Sequence, residues 1–295
     1  MALQEGRRRP MGTATVYKSK KKAKIVQITT ARITLIIVTF IYMLPFLWML
    51  STSFKADHDL YLFPPKLIPI PPVFENYKNA LEYFPFFRYF ANSVIITAGA
   101  IIGTLISCPL IAYSFSKIKW WGRDILFYIM IGTIMLPFAV TMIPQFVIFK
   151  KLGWINTFLP LIVPAFFGTP LYIFLIRQFF QTIPDALLDA ARVDGASEFQ
   201  IYMKVMLPLS KPVLLLVGLF QFIASWNNYL GPLIYLTDET KYPLSLGLPQ
   251  FLNRYGTHWN WMMAAATISL LPTIIFFFFA QSYLIEGIKL SGLKE

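Results

Sequence analysis

Pro184-Asp185-Ala186-Leu187-Leu188-Asp189-Ala190-Ala191-Arg192-Val193-Asp194-Gly195-Ala196-Ser197-Glu198-Phe199-Gln200 runs on through Ile201, Tyr202, Met203, Lys204, Val205 and Met206 to Leu207-Pro208. The stretch reads as two short helices with a break between them. Pro184 and Asp185 suit a helix start, because proline is tolerated in the first turn and a carboxylate favours the positive helix end. Gly195 supplies a stop, since glycine reaches left-handed backbone angles without steric cost. Ser197 with Gln200 three residues on has the form of a capping box that opens a second helix, and Pro208 is expected to end it. Ala190 and Ala191 put small side chains side by side, where another protein surface can approach closely.

On both sides of this loop the chain turns strongly apolar. Of 295 residues, 57% are hydrophobic, 17% aromatic and only 14% charged, against about a quarter charged in ordinary soluble domains. A spanning helix needs about 20 mostly apolar residues to cross about 30 Å of hydrocarbon. Six blocks fit, Ile33–Leu50, Phe90–Phe115, Ile125–Phe149, Phe158–Ile176, Pro212–Leu230 and Met262–Tyr283. The fold class expected is therefore all-α, a polytopic membrane protein with six transmembrane helices. None of the six contains Asp, Glu or an internal Lys or Arg. Charges inside spans usually mark proton relays and ion-coupled carriers, so this pattern argues for another energy source.

Charge outside the spans orients them. Of 26 Lys and Arg, 18 fall on one side: Arg7, Arg8, Arg9, Lys18, Lys20, Lys21, Lys22, Lys24 and Arg32 before the first span, Lys117, Lys119 and Arg123 after the second, Arg177, Arg192, Lys204 and Lys211 in the long loop, and Lys289 and Lys294 at the end. The other side holds Lys55, Lys66, Lys78, Arg88, Lys150, Lys151, Lys241 and Arg254. The positive-inside rule then places both termini in the cytoplasm. In so apolar a chain the net charge of +12 reads as topology and anionic-lipid contact, not as nucleic-acid binding. Phe46-Leu47-Trp48-Met49-Leu50 offers no small-residue cleavage site, so the first span is expected to remain as an anchor.

Chemistry-bearing motifs are few. Cys108 stands alone inside the second span and reads as a small core residue. His58 and His258 lie in outer loops without metal-ligand spacing. No Gly is followed by Lys, so the phosphate-cradling G-x-x-x-x-G-K-[ST] is missing. A G-x-S-x-G nucleophile elbow is also missing. No catalytic residue, metal site or cofactor is expected on this chain; ATP, if used, belongs to another polypeptide. One local feature offers recognition chemistry: Trp226, Asn227 and Asn228, an indole beside two carboxamides late in the fifth block. Buried carboxamides are costly in a membrane unless they pair or face a wet cavity. They are candidates for a translocation path, the alternative being helix-to-helix packing or, for Trp226, an interfacial anchor.

The loop also resembles the cytoplasmic signature of the permease subunits of binding-protein-dependent ABC importers, E-A-A-x3-G-x9-I-x-L-P. The match falls at Asp189, Ala190, Ala191, Gly195, Val205, Leu207 and Pro208 with the spacing kept, Asp standing for Glu and Val for Ile. Over roughly Phe40 to Lys294 the chain is similar to the maltose and multiple-sugar branch. The likeness rests on Asn92-Ser93, Gly122-Arg123, Pro144, Arg177-Gln178-Phe179-Phe180, Trp226-Asn227 and Gly287; Asn228 departs from the usual Glu after Trp-Asn.

The resemblance implies an ABC importer type I permease fold in a bacterial or archaeal inner membrane. It implies a second homologous permease, two copies of an ABC ATPase holding ATP and Mg, and an extracytoplasmic solute-binding protein that delivers a sugar or oligosaccharide. In the family the signature loop forms coupling helices seated in a cleft of the ATPase. The expected division is a basic cytoplasmic tail over 1–32, a permease domain over 33–283 (core 90–283, coupling loop 177–211) and a tail over 284–295. The Pro-rich, aromatic segment from Ser53 to Arg88 is expected to form an irregular outer cap, either a docking surface for the binding protein or an interfacial anchor. Pro109, Pro137, Pro144, Pro164 and Pro170 are expected to kink or break spans. Two alternatives stay open: an ion- or proton-coupled secondary carrier, and import of glycerol phosphate or a uronate oligomer by the same ABC mechanism.

Overall fold

The computed structural model describes residues 13–253 and 256–291. Arg7, Arg8, Arg9, Arg254 and Lys294, which contribute to the charge asymmetry, lie outside the described residues. Fourteen α-helices follow one another among those described: α1 Thr13–Ser53, α2 Glu75–Tyr83, α3 Phe86–Lys117, α4 Arg123–Gly132, α5 Phe138–Lys151, α6 Leu159–Ile162, α7 Pro170–Thr182, α8 Asp185–Val193, α9 Glu198–Ile201, α10 Leu207–Leu209, α11 Lys211–Trp226, α12 Leu230–Tyr235, α13 Leu244–Gly247 and α14 Trp259–Ser291. The β-structure is a two-residue hairpin, β1 Leu252–Asn253 against β2 Gly256–Thr257, antiparallel.

Four stretches are long and apolar enough to cross a membrane: Val26–Ser53, Phe86–Lys117, Leu159–Thr182 and Trp259–Phe279. Two bent pairs bring the number to six, Arg123–Met135 with Phe138–Lys151 at 102° and Glu198–Leu209 with Lys211–Trp226 at 78°. The described residues thus hold four to six candidate spans, six when each bent pair counts as one, and the third and fifth of the expected spans are corrected. The third is not one helix over Ile125–Phe149. Leu136 is extended because a residue before proline is driven out of the α region, and Pro137 cannot supply the N–H that would continue the ladder. The fifth helix ends at Trp226 rather than Leu230. Pro208, expected to end a helix, instead lies inside one. A π-turn over Tyr202–Met206 widens the helix just before it, and the sharp bend falls two residues later at Ser210. Pro109 and Pro144 sit within α3 and α5, whereas Pro164 and Pro170 open new turns after breaks.

α3 is the axis of the molecule. Its buried stripe of Asn92, Ser93, Ile96, Thr97, Ala100, Gly103, Thr104, Ser107 and Cys108 recurs at three- and four-residue spacing and is almost entirely small or weakly polar. Small side chains let helices approach closely where lipid supplies no hydrophobic drive between them. Gly103 shows the tightness: a Cβ there would stand 2.6 Å from the Phe166 ring. Two apolar cores flank the axis. One, at the loop end, joins Tyr113, Ile176, Phe180, Leu188, Ile201, Met206 and Val217. The other, at the opposite end, joins Ala80, Phe84, Tyr89, Phe222, Trp226, Leu244 and Phe251. α1 packs on α14 and leaves its long apolar face exposed.

The segment after α1 is less irregular than its prolines suggest. A 3-10 turn at Asp57–Asp59 and the helix α2 are tied by buried carboxamides. Asn76 donates to the carbonyls of Ser53 (2.9 Å) and Lys55 (2.8 Å). Asn260, opening α14, donates to Asp57 Oδ1 (2.8 Å). Between these anchors the stretch from Tyr61 to Phe74 is largely exposed.

Candidate functional site: the loop and the cleft

The loop after α7 takes the two-helix form expected. The amide of Ala196 donates to the carbonyl of Ala191 and that of Gly195 to Arg192, both at 3.0 Å, while Gly195 has φ +82°. This crossed pair of bonds around a left-handed glycine satisfies the last carbonyls of α8. Ser197 then closes a complete capping box: its Oγ accepts from the Gln200 amide (3.3 Å) and Gln200 Oε1 accepts from the Ser197 amide (2.9 Å).

The signature positions divide by environment. Ala191, Val205 and Leu207 are half-buried and pack on the loop-end core. Asp189, Ala190, Gly195 and Pro208 are exposed. Asp189 pairs with Arg192 at 2.7 Å. Arg192 also reaches across the glycine break to Glu198 at 2.8 Å, so one guanidinium braces the angle between α8 and α9. Exposed beside them are Leu187, Val193 (88%), Phe199 and Met203. This apolar face lies outside the signature positions apart from Ala190, although the spacing of Leu187, Ala190 and Val193 along α8 carries it.

Ties to the membrane helices come from residues that sequence reasoning missed. Glu198 Oε2 accepts from the Tyr113 hydroxyl of α3 at 2.6 Å. Lys117, at the end of α3, donates to the Ile183 carbonyl (2.7 Å) and to Asp185 (2.5 Å). The Lys117 ammonium beside Asp185 holds that carboxyl below the usual range. Arg177 of α7 donates to the Phe115 carbonyl (3.1 Å) and lies over the Phe127 ring at 4.0 Å. None of these contacts spans fewer than 50 residues of chain, so no local pattern reveals them.

The second candidate group sits where α11 ends. Trp226 is buried, its Nε1 donates to the Ser269 carbonyl (3.1 Å), and its ring stacks on Phe222 at 5.5 Å. Asn227 and Asn228 are exposed, not enclosed in a helix. Asn227 Nδ2 donates back to the Ile223 carbonyl (2.9 Å) and Asn228 Oδ1 accepts from the Gly231 amide (3.0 Å). The two carboxamides thus satisfy the backbone of a break between α11 and α12. They line, with Tyr229 and Gln145, a cleft of about 480 Å³ walled otherwise by Phe138, Pro160, Leu161 and Pro164. Polar groups on an irregular segment at membrane depth are tolerated where they face protein or a water-filled cavity.

Six spans around a small-residue axis and a capped two-helix loop define a known class. Residues 95–290 match the family described as "Binding-protein-dependent transport system inner membrane component". The chain belongs to this family. The permease is 31% identical over 263 residues to the arabinooligosaccharides transport system permease protein of Halalkalibacterium halodurans, covering 87% of this chain and 93% of the relative. It is 32% identical over 265 residues to the trehalose/maltose transport system permease protein of Thermococcus litoralis, covering 88% and 94%. Among solved structures it resembles a chain of a bacterial ABC transporter involved in the import of the acidic polysaccharide alginate. That match has a TM-score of 0.77 and 27% identity, and covers 89% of this chain and 97% of the other.

Proposed function

We propose that this permease forms, with a second homologous permease, the translocation path of an ATP-driven sugar or oligosaccharide importer. A binding protein delivers the sugar outside, and a pair of ATPase subunits holding ATP and Mg works inside. The chain carries out no covalent chemistry and holds no cofactor of its own. The observation that carries the reading is the loop centred on Gly195. It sets a left-handed break and a capping box within the spacing of the coupling signature, beside an exposed apolar face of Leu187, Val193, Phe199 and Met203. The names of the similar proteins, which cover arabinooligosaccharides, trehalose/maltose and the polysaccharide alginate, support a carbohydrate substrate.

In this reading both termini and the loop are cytoplasmic, as the Lys and Arg distribution supports, and 33–283 is the permease domain with its coupling loop at 177–211. Asp189, Ala190, Ala191, Gly195, Val205, Leu207 and Pro208 shape the ATPase contact. Closure of the ATPase pair displaces the loop, and the helices tied to it reopen the cavity to the other side. This is a population shift between two conformations, driven by the differential affinity of nucleotide for them. Asn227 and Asn228 offer carboxamides to sugar hydroxyls along the path, while Trp226 forms the wall behind them.

Reconstitution of both permeases, the ATPase and the binding protein in proteoliposomes tests this. Import of an oligosaccharide bound by that binding protein should require ATP and be abolished by Ala191→Arg, with the ATPase subunits losing substrate control. ATP-independent uptake driven by a proton gradient would refute it in favour of a secondary carrier. Selective binding of glycerol phosphate by the binding protein would retain the mechanism and replace the sugar.

A further inference from the structure

We infer that α3 is the strut that carries displacement of the Gly195 loop to the opposite face of the membrane, with Tyr113 and Asn92 as its positioning residues. The inference rests on the coupling-loop reading above. At the loop end, the last turn of α3 is held by hydrogen bonds to the loop and to the helix before it. Tyr113 donates to Glu198, the Phe115 carbonyl accepts from Arg177, and Lys117 donates to Ile183 and Asp185. At the other end Asn92 spends both amide hydrogens on the carbonyls of Thr240 (3.0 Å) and Tyr242 (2.9 Å). Ser93 Oγ accepts from the Leu244 amide at 2.9 Å. These bonds span about 150 residues of chain and fasten α3 to the segment that leads into α13 and the β1–β2 hairpin.

Tyr113 stands 21 positions after Asn92 in one helix, about 32 Å at 1.5 Å per residue, close to the thickness of the hydrocarbon layer. Midway, α3 is fixed laterally to the fourth span. Ser107 donates to the Ala165 carbonyl (2.9 Å), the Thr169 amide bonds to Cys108 Sγ (3.3 Å), and Gly103 lies against Phe166. Close packing of this kind moves as a body and does not deform continuously. The bonds at each end matter because buried or half-buried polar groups have few other partners in lipid. A shift of Glu198 therefore pulls Tyr113, and Asn92 delivers that pull to Thr240 and Tyr242. Asn92-Ser93, a pair with no place in the loop or the cleft, thereby gains a role.

The test uses the full assembly in nanodiscs, with an environment-sensitive thiol label at Glu239→Cys; Cys108 is fully buried and stays in place. Glu239 is exposed beside the anchored segment. Trapping the ATPase with Mg–ATP and orthovanadate should change the label's emission. Tyr113→Phe removes the hydroxyl that meets Glu198 and keeps the ring packing, and Asn92→Ala removes the bonds to Thr240 and Tyr242 while Ser93 stays on Leu244. Each should cut the change about fivefold or more, the lower end of usual site-to-site couplings, with the amount of trapped nucleotide and the melting temperature unmoved. The double variant should respond no less than the weaker single one, since the two bonds lie in series on one path. If Asn92→Ala fails to assemble, Ser93→Ala takes its place.

No emission change in the parent, a change within about twofold of the parent in both single variants, or multiplying losses in the double would overturn the strut. Loss of trapping together with a lower melting temperature would also overturn it, in favour of a static brace. Ala191→Arg separates the two readings. If it abolishes the response and Tyr113→Phe does not, the strut alone falls. If Ala191→Arg leaves the response intact with the ATPase bound, the coupling loop falls with it.

Discussion

Replacing Gly195 by valine asks how much of this permease depends on one backbone angle. Gly195 has φ +82° and nothing within 4 Å of where a Cβ would stand, so a side chain meets no steric obstacle and the whole cost is conformational. Left-handed backbone costs an L-residue about 1–2 kcal/mol, with a β-branched one at the upper end. If the backbone relaxes instead, the two bonds from Gly195 and Ala196 into the last turn of α8 are lost, at about 0.5–1.5 kcal/mol each. Either route stays well below the 5–15 kcal/mol that holds a domain together. Gly195→Val should therefore insert and assemble. The angle between α8 and α9 changes, however, and with it the alignment of Leu187 and Val193 with Phe199 and Met203. Proteoliposomes should show import reduced at least about tenfold, while ATP hydrolysis persists without control by the loaded binding protein. Gly195→Asn, which tolerates left-handed angles, should retain most import. Wild-type import by Gly195→Val, or equal losses in the valine and asparagine variants, would refute the reasoning.

Ser197→Ala removes the capping box and should lower the melting temperature of the purified complex by an amount equivalent to about 1 kcal/mol. Trp226→Phe keeps the stack on Phe222 but removes the indole donor to the Ser269 carbonyl, which keeps its place in the α14 ladder; a cost of about 0.5–1.5 kcal/mol in thermal unfolding is expected, whereas exposed Asn227→Ala should cost less than about 0.5 kcal/mol. Folding lowers the Asp185 pKa through Lys117, so the folded state releases that proton more readily than the unfolded one. The contact's contribution is present above the ordinary carboxylate range and fades as pH falls through the lowered folded value. Lys117→Met should flatten this part of the stability-versus-pH curve measured by denaturation at pH 7 down to acid. In whole cells, cysteines at Ser19 and Ser291 (Cys108→Ser background) should resist an impermeant thiol reagent and one at Thr240 should react; labelling at Ser291 would overturn the orientation.

Elements set by neighbouring residues were legible in the sequence alone. Gly195, Ser197 and Gln200 act within six residues of one another, and the bonds they make are those their order implies. The spans were legible because the bilayer imposes one requirement, continuous apolarity, that composition reports directly. Their ends were less so. Continuous apolarity from Ile125 to Phe149 hides the 102° bend at Pro137, since an apolar residue looks the same whether its helix continues or turns. Pro208 marks the end of its helical stretch only to within a residue or two: the helix runs on to Leu209, and the bend falls at Ser210.

What only the tertiary structure decided is which distant groups share a proton or a cavity. Trp226, Asn227 and Asn228 are adjacent in sequence, yet one is buried against Phe222 while the other two face a cleft with Gln145, because α11 stops between them. Tyr113 and Glu198, 85 positions apart, meet at 2.6 Å, and Asn92 and Tyr242 meet across 150. A local pattern records the propensities of consecutive residues. Pairing across such distances is fixed by how six helices pack around the small side chains of α3, and packing depends on all of their faces at once.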